Sequence, residues 1–197
     1  MRGVVAALAL LLCLASAPTP VHGGGGGGGD RPADPGSDED REYRIKAAFL
    51  LHFVRYTTWP KECFEDAASP IVLTVVGADP FGPVLKETFR GETIQGRRVE
   101  IAHSKEVPRE LAGHLVFCSE LPRAAREELL TKASRRPVLV IGESPGFAED
   151  GGSINFFIQD QKTRFEINTE ALTEARLEMS PSVLKLAKIV RTKRGGT

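Results

Sequence analysis

The sequence predicts an α/β fold, a three-layer sandwich around a mainly parallel, mixed sheet with a C-terminal antiparallel hairpin. Three features predict it: a long apolar helix at residues 44–60, β-branched runs that alternate with short helical segments after Pro60, and two adjoining strand patterns near the C-terminus. Alternation of strands and helices is typical of parallel sheets that helices cover on both faces.

Residues 44–60, RIKAAFLLHFVRYTTWP, are the most apolar long run outside the extreme N-terminus. Apolar positions at helical spacing cover so much of the circumference that other elements must pack against this helix. Ser37, with Asp40 three residues later, resembles a capping box, and Pro60 disfavours helical geometry at Trp59. The helix is therefore expected to end at residues 57–59.

Apolar and alternating runs predict the strands. Residues 71–76, IVLTVV, are a continuous β-branched run, as in a strand that is covered on both faces. The other predicted strands are residues 98–102, 114–118 and 137–141, and a hairpin of residues 153–158 and 163–168.

Helix signals lie between these strands and after them. Asp79 can cap a helix whose first residue is Pro80, and Ser119 or Glu120 can open another. Two further helices are expected at residues 169–175 and 181–190, the second with basic residues in its last turns.

The N-terminal residues are predicted to be a targeting segment. Arg2, an apolar run at residues 4–17 and small residues after it are typical of a cleavable signal peptide at residues 1–23, with an uncleaved anchor as the alternative. Residues 24–37, which include an unbroken glycine run, predict a disordered linker. Residues 38–192 are then long enough for one compact domain with its own core.

The charges balance, with 26 acidic and 26 basic residues. No net basic field exists to attract nucleic acid, so we exclude the nucleic-acid-binding class. No histidine or cysteine spacing is typical of a metal site, and no motif indicates a cofactor.

Residues 142–146, GESPG, match the G-x-S-x-G pattern of serine hydrolases and follow an apolar strand. Pro145 lacks the backbone N–H group that the oxyanion hole needs, and every histidine precedes Ser144. A Pro-Gly turn after a strand explains the pattern better, and no enzyme activity is predicted.

The loops after the strands are a second candidate site. Open α/β sheets bind ligands at the carboxyl ends of their parallel strands. Asp79, Ser119 and Glu143 follow three of the predicted strands and would cluster there as possible ligand-binding groups. Helix caps and turns account for each of them without a ligand.

Cys63 and Cys118 remain after the signal peptide, which contains Cys13, is removed. In an oxidising compartment these two residues can form a disulfide. The alternative is two free thiols, with Cys118 acting as a small hydrophobe in an apolar strand.

Several short motifs follow one another along the chain. They are KAAFLLHFVRYTTWP at residues 46–60, VVGADPFG at 75–82, RPVLVIGESPGF at 136–147, GGSINFF at 151–157, RFEIN at 164–168 and SPSVLKLAKIV at 180–190. Together they resemble the YfiR family of exported bacterial proteins, and the resemblance covers residues 43–191.

The resemblance implies a periplasmic regulator without catalytic activity or cofactors. Its expected action is to bind and repress a membrane signalling protein with a periplasmic sensing domain, in the first place a diguanylate cyclase. Repression would lower cyclic-di-GMP output and so influence biofilm formation. The resemblance also implies a homodimer and an outer-membrane lipoprotein as a further partner.

Regulation by contact needs an exposed apolar patch with a polar rim, and the first helix is our candidate for it. Aromatic and arginine side chains dominate interface energetics. One alternative is that the aromatic side chains of this helix fill the core and the interface lies elsewhere. A second alternative is that the protein is a small-molecule-binding protein or an enzyme that uses the strand-end loops. The candidate contact residues are Phe49, Phe53, Arg55, Tyr56 and Trp59.

Overall fold

The computed structural model describes residues 36–111 and 113–193, so the predicted signal peptide and all but the last two residues of the predicted linker lie outside the described part. The helices are α1 (Asp38–Tyr56), α2 (Pro83–Phe89), α3 (Arg123–Ala133), α4 (Thr169–Glu174) and α5 (Pro181–Leu184), with a 3-10 turn at Lys61–Cys63. The strands are β1 (Thr57–Thr58), β2 (Ile71–Gly77), β3 (Thr93–Ile94), β4 (Arg97–Ser104), β5 (Leu115–Ser119), β6 (Leu139–Gly142), β7 (Ile154–Gln159), β8 (Lys162–Asn168), β9 (Glu178–Met179) and β10 (Lys188–Val190).

Eight of the described strands form one mixed sheet in the order β10-β8-β7-β6-β5-β2-β4-β3, while β1 and β9 form a separate antiparallel pair. All neighbours in the large sheet are parallel except β7 with β8 and β3 with β4. The predicted hairpin is confirmed. Its turn residues Asp160 and Gln161 both have positive φ, at 51° and 58°, the conformation that a two-residue hairpin turn requires.

The sheet is covered on both faces, which confirms the α/β sandwich. Alternate residues of the central strands point to opposite sides. Leu115 and Phe117 of β5 join the larger core cluster with α1 and α2, whereas Val116 and Cys118 join a smaller cluster with α3. The near-continuous apolar runs of the central strands follow from this two-sided burial.

Helix α1 begins and ends close to the predicted positions. The Ser37 hydroxyl accepts a hydrogen bond from the Asp40 N–H at 3.2 Å, and the Asp40 carboxylate accepts one from the Ser37 N–H at 2.9 Å, which confirms the capping box. After Tyr56 the chain enters β1, which pairs with β9. No helix in residues 36–111 or 113–193 combines the length and apolar character needed to cross a bilayer.

Two predicted helix starts are wrong. Helix α2 starts at Pro83 rather than Pro80, because the Asp79 carboxylate accepts a hydrogen bond from the Phe81 N–H at 3.0 Å and closes a turn before the helix. Helix α3 starts at Arg123, not at Ser119 or Glu120. Ser119 is the last residue of β5, and Glu120 has a positive φ of 43°, which a right-handed helix does not permit.

The predicted helix at residues 181–190 is also wrong. Only Pro181–Leu184 is helical, and Lys188–Val190 forms the edge strand β10, which pairs in parallel with β8. Val190 is buried beside Asn168, and Lys188 lies beside Glu166. The open edge of β8 therefore determines the conformation of a segment whose apolar residues also fit a helix.

His114 connects the segment after α1 to the amino ends of the strands. Its Nδ1 accepts a hydrogen bond from the Val72 N–H at 3.1 Å, its ring stacks on Phe64 at 4.4 Å, and its carbonyl accepts one from the Trp59 indole at 3.1 Å. Since Nδ1 is an acceptor, Nε2 carries the proton and donates to the Cys63 carbonyl at 3.3 Å. Burial lowers the pKa of His114.

We expect the free energy of unfolding to fall as the pH falls below about 6.5, the ordinary histidine pKa. The unfolded chain then binds a proton that the buried imidazole resists, so acid favours unfolding. In His114→Asn, the amide oxygen can still accept from the Val72 N–H but does not titrate. In urea unfolding between pH 7.5 and 5, the free energy of unfolding of this variant should depend less on pH than that of the wild type. The contribution of His52 is common to both proteins and cancels in the comparison. Parallel profiles would contradict this role.

Candidate functional site

The carboxyl ends of β5 and β6 bring two of the predicted ligand residues together. These strands are parallel neighbours, so the loops that follow them leave the same edge of the sheet. Ser119 Oγ lies 3.5 Å from Glu143 Oε1, and the Ser119 side chain is fully buried. The strand-end prediction is thus correct in placing Ser119 and Glu143 side by side.

Helix α1 supplies the partners of Glu143. Lys46 is only 4% exposed, and its Nζ lies 2.6 Å from Glu143 Oε2 and 2.5 Å from Glu42 Oε1. The Tyr43 hydroxyl donates to Glu143 Oε1 at 3.2 Å, and the Lys46 ammonium lies 4.4 Å from the Tyr43 ring centroid. Burial, followed by the charge of Glu143, raises the pKa of Tyr43, which therefore remains a neutral donor.

Sequence reasoning missed Lys46 and Tyr43 as members of this cluster. The available signal was a lysine inside an otherwise apolar helix, with Glu42 one turn earlier. A charge on an apolar face requires a partner, because an unpaired buried charge is strongly unfavourable. Its main partner lies 97 residues away along the chain, and no local pattern could identify it.

Asp79 does not join this cluster. Its side chain accepts from the Phe81 N–H and lies 3.5 Å from His103 Nδ1 at the end of β4. Among the described residues, no hydrogen bond or ion pair joins Asp79 to Ser119 or Glu143. Of the three predicted ligand residues, only Ser119 and Glu143 therefore lie together, and side chains of α1 contact Glu143.

The GESPG loop has a structural explanation. Arg126 donates to Ser144 Oγ at 3.3 Å, and in the described part of the chain no histidine forms a hydrogen bond with this serine. The ring of Phe147 packs so closely against Gly142 and Gly152 that a Cβ atom at either glycine would overlap it. The glycines are thus needed to accommodate Phe147 in the α3-side core, not to shape a nucleophile turn.

The structure divides the predicted contact residues of α1 into two groups. Phe53 is 1% exposed and Trp59 is 4% exposed, so their assignment to a partner surface is wrong and both belong to the core. Phe53 packs against Phe156 and Phe165 with ring centroids 5.8 and 5.1 Å apart. The three contact candidates that keep partial exposure are Phe49, Arg55 and Tyr56.

Arg55 and Tyr56 lie at the end of α1. Arg55 forms an ion pair with Glu92 at 2.7 Å, in which both side chains are about one-third exposed. Tyr56 stacks on His52 one turn earlier, with ring centroids 5.9 Å apart. This end of the helix presents an aromatic side chain and a guanidinium group at the surface of the folded chain.

The predicted disulfide between Cys63 and Cys118 is not formed, and both thiols are free. Cys63 packs against the cluster on the α1 face of the sheet, whereas Cys118 belongs to the α3-side cluster. The sheet separates the two sulfur atoms, which rules out the short Cβ separation that a disulfide needs. Burial raises the pKa of Cys118 to about 12 and keeps it an unreactive thiol.

In the described residues, no group of three or more histidine, cysteine, aspartate or glutamate side chains is arranged to hold a metal ion. The carboxylate at the strand ends is instead occupied by Lys46 and Tyr43. Fold and site thus define a class: an α/β sandwich domain whose strand-end cluster is occupied by side chains of its own first helix.

The chain belongs to the YfiR/HmsC-like family, whose model matches residues 43–188. This match confirms the resemblance that the motifs carry, and it extends from within α1 to the first residue of β10. The family is regulatory and non-catalytic, and it is associated with control of diguanylate cyclase signalling. No curated protein matches the chain.

We expect Lys46→Met to lower the free energy of unfolding by about 3 kcal/mol, because it leaves the mostly buried Glu143 carboxylate without its ammonium partner. Adding Glu143→Gln should recover part of this loss, so that the double variant loses less than the sum of the single variants. Urea unfolding of the four proteins measures the coupling. The same double-mutant cycle on the exposed Arg123–Glu127 ion pair, whose atoms lie 2.7 Å apart, is the matched control. Equal coupling in both cycles would contradict the structural role of Lys46.

The assignment of Phe53 to the core predicts that Phe53→Ala lowers the free energy of unfolding by about 3–5 kcal/mol, because it leaves a cavity among aromatic rings. Ile158→Ala is the control, since Ile158 is 53% exposed, and its effect should stay within about 0.5 kcal/mol. Thermal and urea unfolding measure both. Similar values for the two variants would place Phe53 at a surface instead.

Proposed function

We propose that this protein is a non-catalytic periplasmic regulator that binds and represses a membrane signalling partner, a diguanylate cyclase. The observation that carries the proposal is the family match over residues 43–188, which spans almost the whole described domain. Repression lowers cyclic-di-GMP output and thereby affects biofilm formation. The periplasmic location depends on residues 1–23 acting as a signal peptide.

The strand-end cluster supports regulation by contact rather than catalysis. A general acid or base needs access to a substrate, but Glu143 has one oxygen on Lys46 and the other on Tyr43. The Lys46 side chain is 5% exposed, so the pair is also closed from the side of α1. These residues hold the domain together and leave the surface of α1 for recognition.

The partner surface in this proposal includes the partly exposed side chains of α1, which are Arg55 and Tyr56 at its end and Phe49 about two turns earlier. Arginine and tyrosine are the residue types that contribute most at protein interfaces. Arg55 can leave Glu92 and bind a carboxylate of the partner protein at a small cost in free energy, because an ion pair near the surface contributes little to stability. The binding partner is the periplasmic sensing domain of the cyclase. A homodimer and an outer-membrane lipoprotein that removes the regulator from the cyclase complete the proposal.

Deletion of the gene should raise cellular cyclic-di-GMP, and the full-length protein should lower it again. A version without residues 1–23 should fail to do so, because it is not exported. Mass spectrometry of extracted nucleotide measures the effect, and a pull-down from the native envelope should recover a membrane protein with a cyclase domain. Unchanged nucleotide levels in the deletion strain would reject the regulator.

The surface is tested separately in the same strain. Arg55→Ala and Tyr56→Ala should lose repression, and Arg55→Ala should keep the melting temperature, because an ion pair near the surface contributes little to stability. Arg123→Ala is the matched control, since its side chain is 84% exposed and lies on α3 on the other face of the sheet. If the Arg55 and Tyr56 variants repress as well as the control, the partner surface lies elsewhere.

A further inference from the structure

Helix α1 carries a stripe of residues on the side that faces away from the sheet. Its members lie four, three, four and three residues apart along the helix, and they are Arg41, Ile45, Ala48, His52 and Arg55. The buried residues Leu50 and Phe53 lie on the opposite side. Ile45 and Ala48 are partly exposed and belong to neither core cluster, although both are apolar. Packing of the domain therefore does not explain this outer stripe.

The spacing and the side chains of the outer stripe fit a second helix. Steps that alternate between three and four residues keep one narrow seam in line along a helix, as in coiled coils. Ala48 at the centre lets another helix approach closely, and the His52 ring stacks on Tyr56 with ring centroids 5.9 Å apart. Burial, followed by the charge of Arg55, lowers the pKa of His52, so the centre of the stripe is uncharged at neutral pH. A lipid surface would need a wider apolar sector.

Arginine side chains border this apolar centre. Arg41 and Arg44 are exposed, and in the described part of the chain neither guanidinium group has a hydrogen-bond or ion-pair partner. Arg55 at the other end pairs with Glu92, and both side chains are about one-third exposed. The acidic first turn of α1, Asp38–Asp40, lies before the stripe. Both ends of the stripe are therefore accessible to carboxylates, which guanidinium groups bind with paired hydrogen bonds.

The charges disfavour a second copy of α1 on this stripe. If two copies crossed in antiparallel at Ala48, Arg41 of one copy would face Arg55 of the other, because each lies seven residues from Ala48. A parallel arrangement would place each arginine opposite its own counterpart. Both arrangements bring like charges together, which weakens a contact and counts against its specificity. The occupant that the charges favour has carboxylates where α1 has arginines.

We propose that the outer stripe binds an amphipathic helix of the partner protein, with apolar residues along its contact side and acidic residues beside them. The apolar side chains pack on Ile45 and Ala48. The carboxylates pair with Arg41 and Arg44, and with Arg55 once it leaves Glu92. The inference rests on the proposed regulatory function, because it names the element of the partner that the surface of α1 recognises.

The test uses the purified full chain and two synthetic helical peptides as probes. Both peptides have a leucine stripe at the same spacing, which is flanked by glutamate in one peptide and by lysine in the other. In fluorescence anisotropy, the glutamate peptide should bind at least about tenfold more tightly, and added salt should reduce this preference. Equal affinities for the two peptides would overturn the proposal.

Charge reversal on α1 tests the arginines. Arg41→Glu combined with Arg44→Glu should make the lysine peptide the tighter ligand. Arg109→Glu combined with Arg136→Glu is the matched control, since it makes the same charge change at exposed residues on the side of α3. This control should keep the preference for glutamate. Thermal unfolding shows which variants are folded, and Arg44→Glu alone, which should reduce the preference, replaces the double variant if that variant is not. An unchanged preference in the α1 variant would contradict the proposal.

The apolar centre is tested without a change of charge. Ile45→Ser should weaken binding of the glutamate peptide by about five- to tenfold, because apolar contact area is lost. Ile158→Ser is the control, since Ile158 is 53% exposed on the hairpin, and it should bind as the wild type does. Unchanged peptide binding by Ile45→Ser, together with loss of a dimer or of binding to phosphatidylglycerol vesicles, would assign the stripe to a second copy or to lipid and overturn the proposal.

Cyclic-di-GMP in the deletion strain separates this inference from the proposed function. If deletion raises the nucleotide but the glutamate peptide does not bind, the inference fails and the regulator stands. If the peptide binds with the expected preference but deletion leaves the nucleotide unchanged, the regulator is rejected and the stripe remains a helix-binding surface.

Discussion

The burial of α1 on the sheet is the constraint on which the rest of the domain depends. Its apolar residues Ala47, Leu50, Phe53 and Val54 are covered by the strands and by α2. The same face carries Lys46, whose charge would destabilise the fold unless a carboxylate met it. Glu143 does so from the end of β6. Apolar contact holds the helix on the sheet, and the Lys46–Glu143 ion pair adds a polar link between residues 97 positions apart in the sequence.

The elements that local chemistry determines could be predicted from the sequence. The capping box at Ser37 and the β-branched run of β2 favour their structures through local contacts alone, and both formed as expected. Residues 188–190 have no such local preference, since their side chains fit a helix or a strand. Pairing with the open edge of β8 makes them a strand. The site shows the same limit. Ser119 and Glu143 follow from strand order, whereas Lys46 and Tyr43 depend on the packing of α1.

The GESPG loop shows why a chemical motif needs its surroundings. Its glycine Gly142 leaves room for the ring of Phe147, as Gly152 does on the other side, and Phe147 in turn packs into the α3-side core. Its serine accepts a hydrogen bond from Arg126. Its glutamate faces α1. Gly142, Glu143 and Ser144 of a sequence that resembles a nucleophile turn thus have structural roles in packing, in an ion pair and in a hydrogen bond, which agrees with a family of regulators.

Glu143 connects the loop that follows β6 to helix α1. Through Lys46 and Tyr43 it holds α1. Loss of the Glu143 carboxylate would leave the buried Lys46 ammonium with Glu42 as its one remaining ion-pair partner among the described residues. A buried charge with a lost partner is strongly destabilising, so the packing of the apolar face of α1 on the sheet depends on the loop that follows β6.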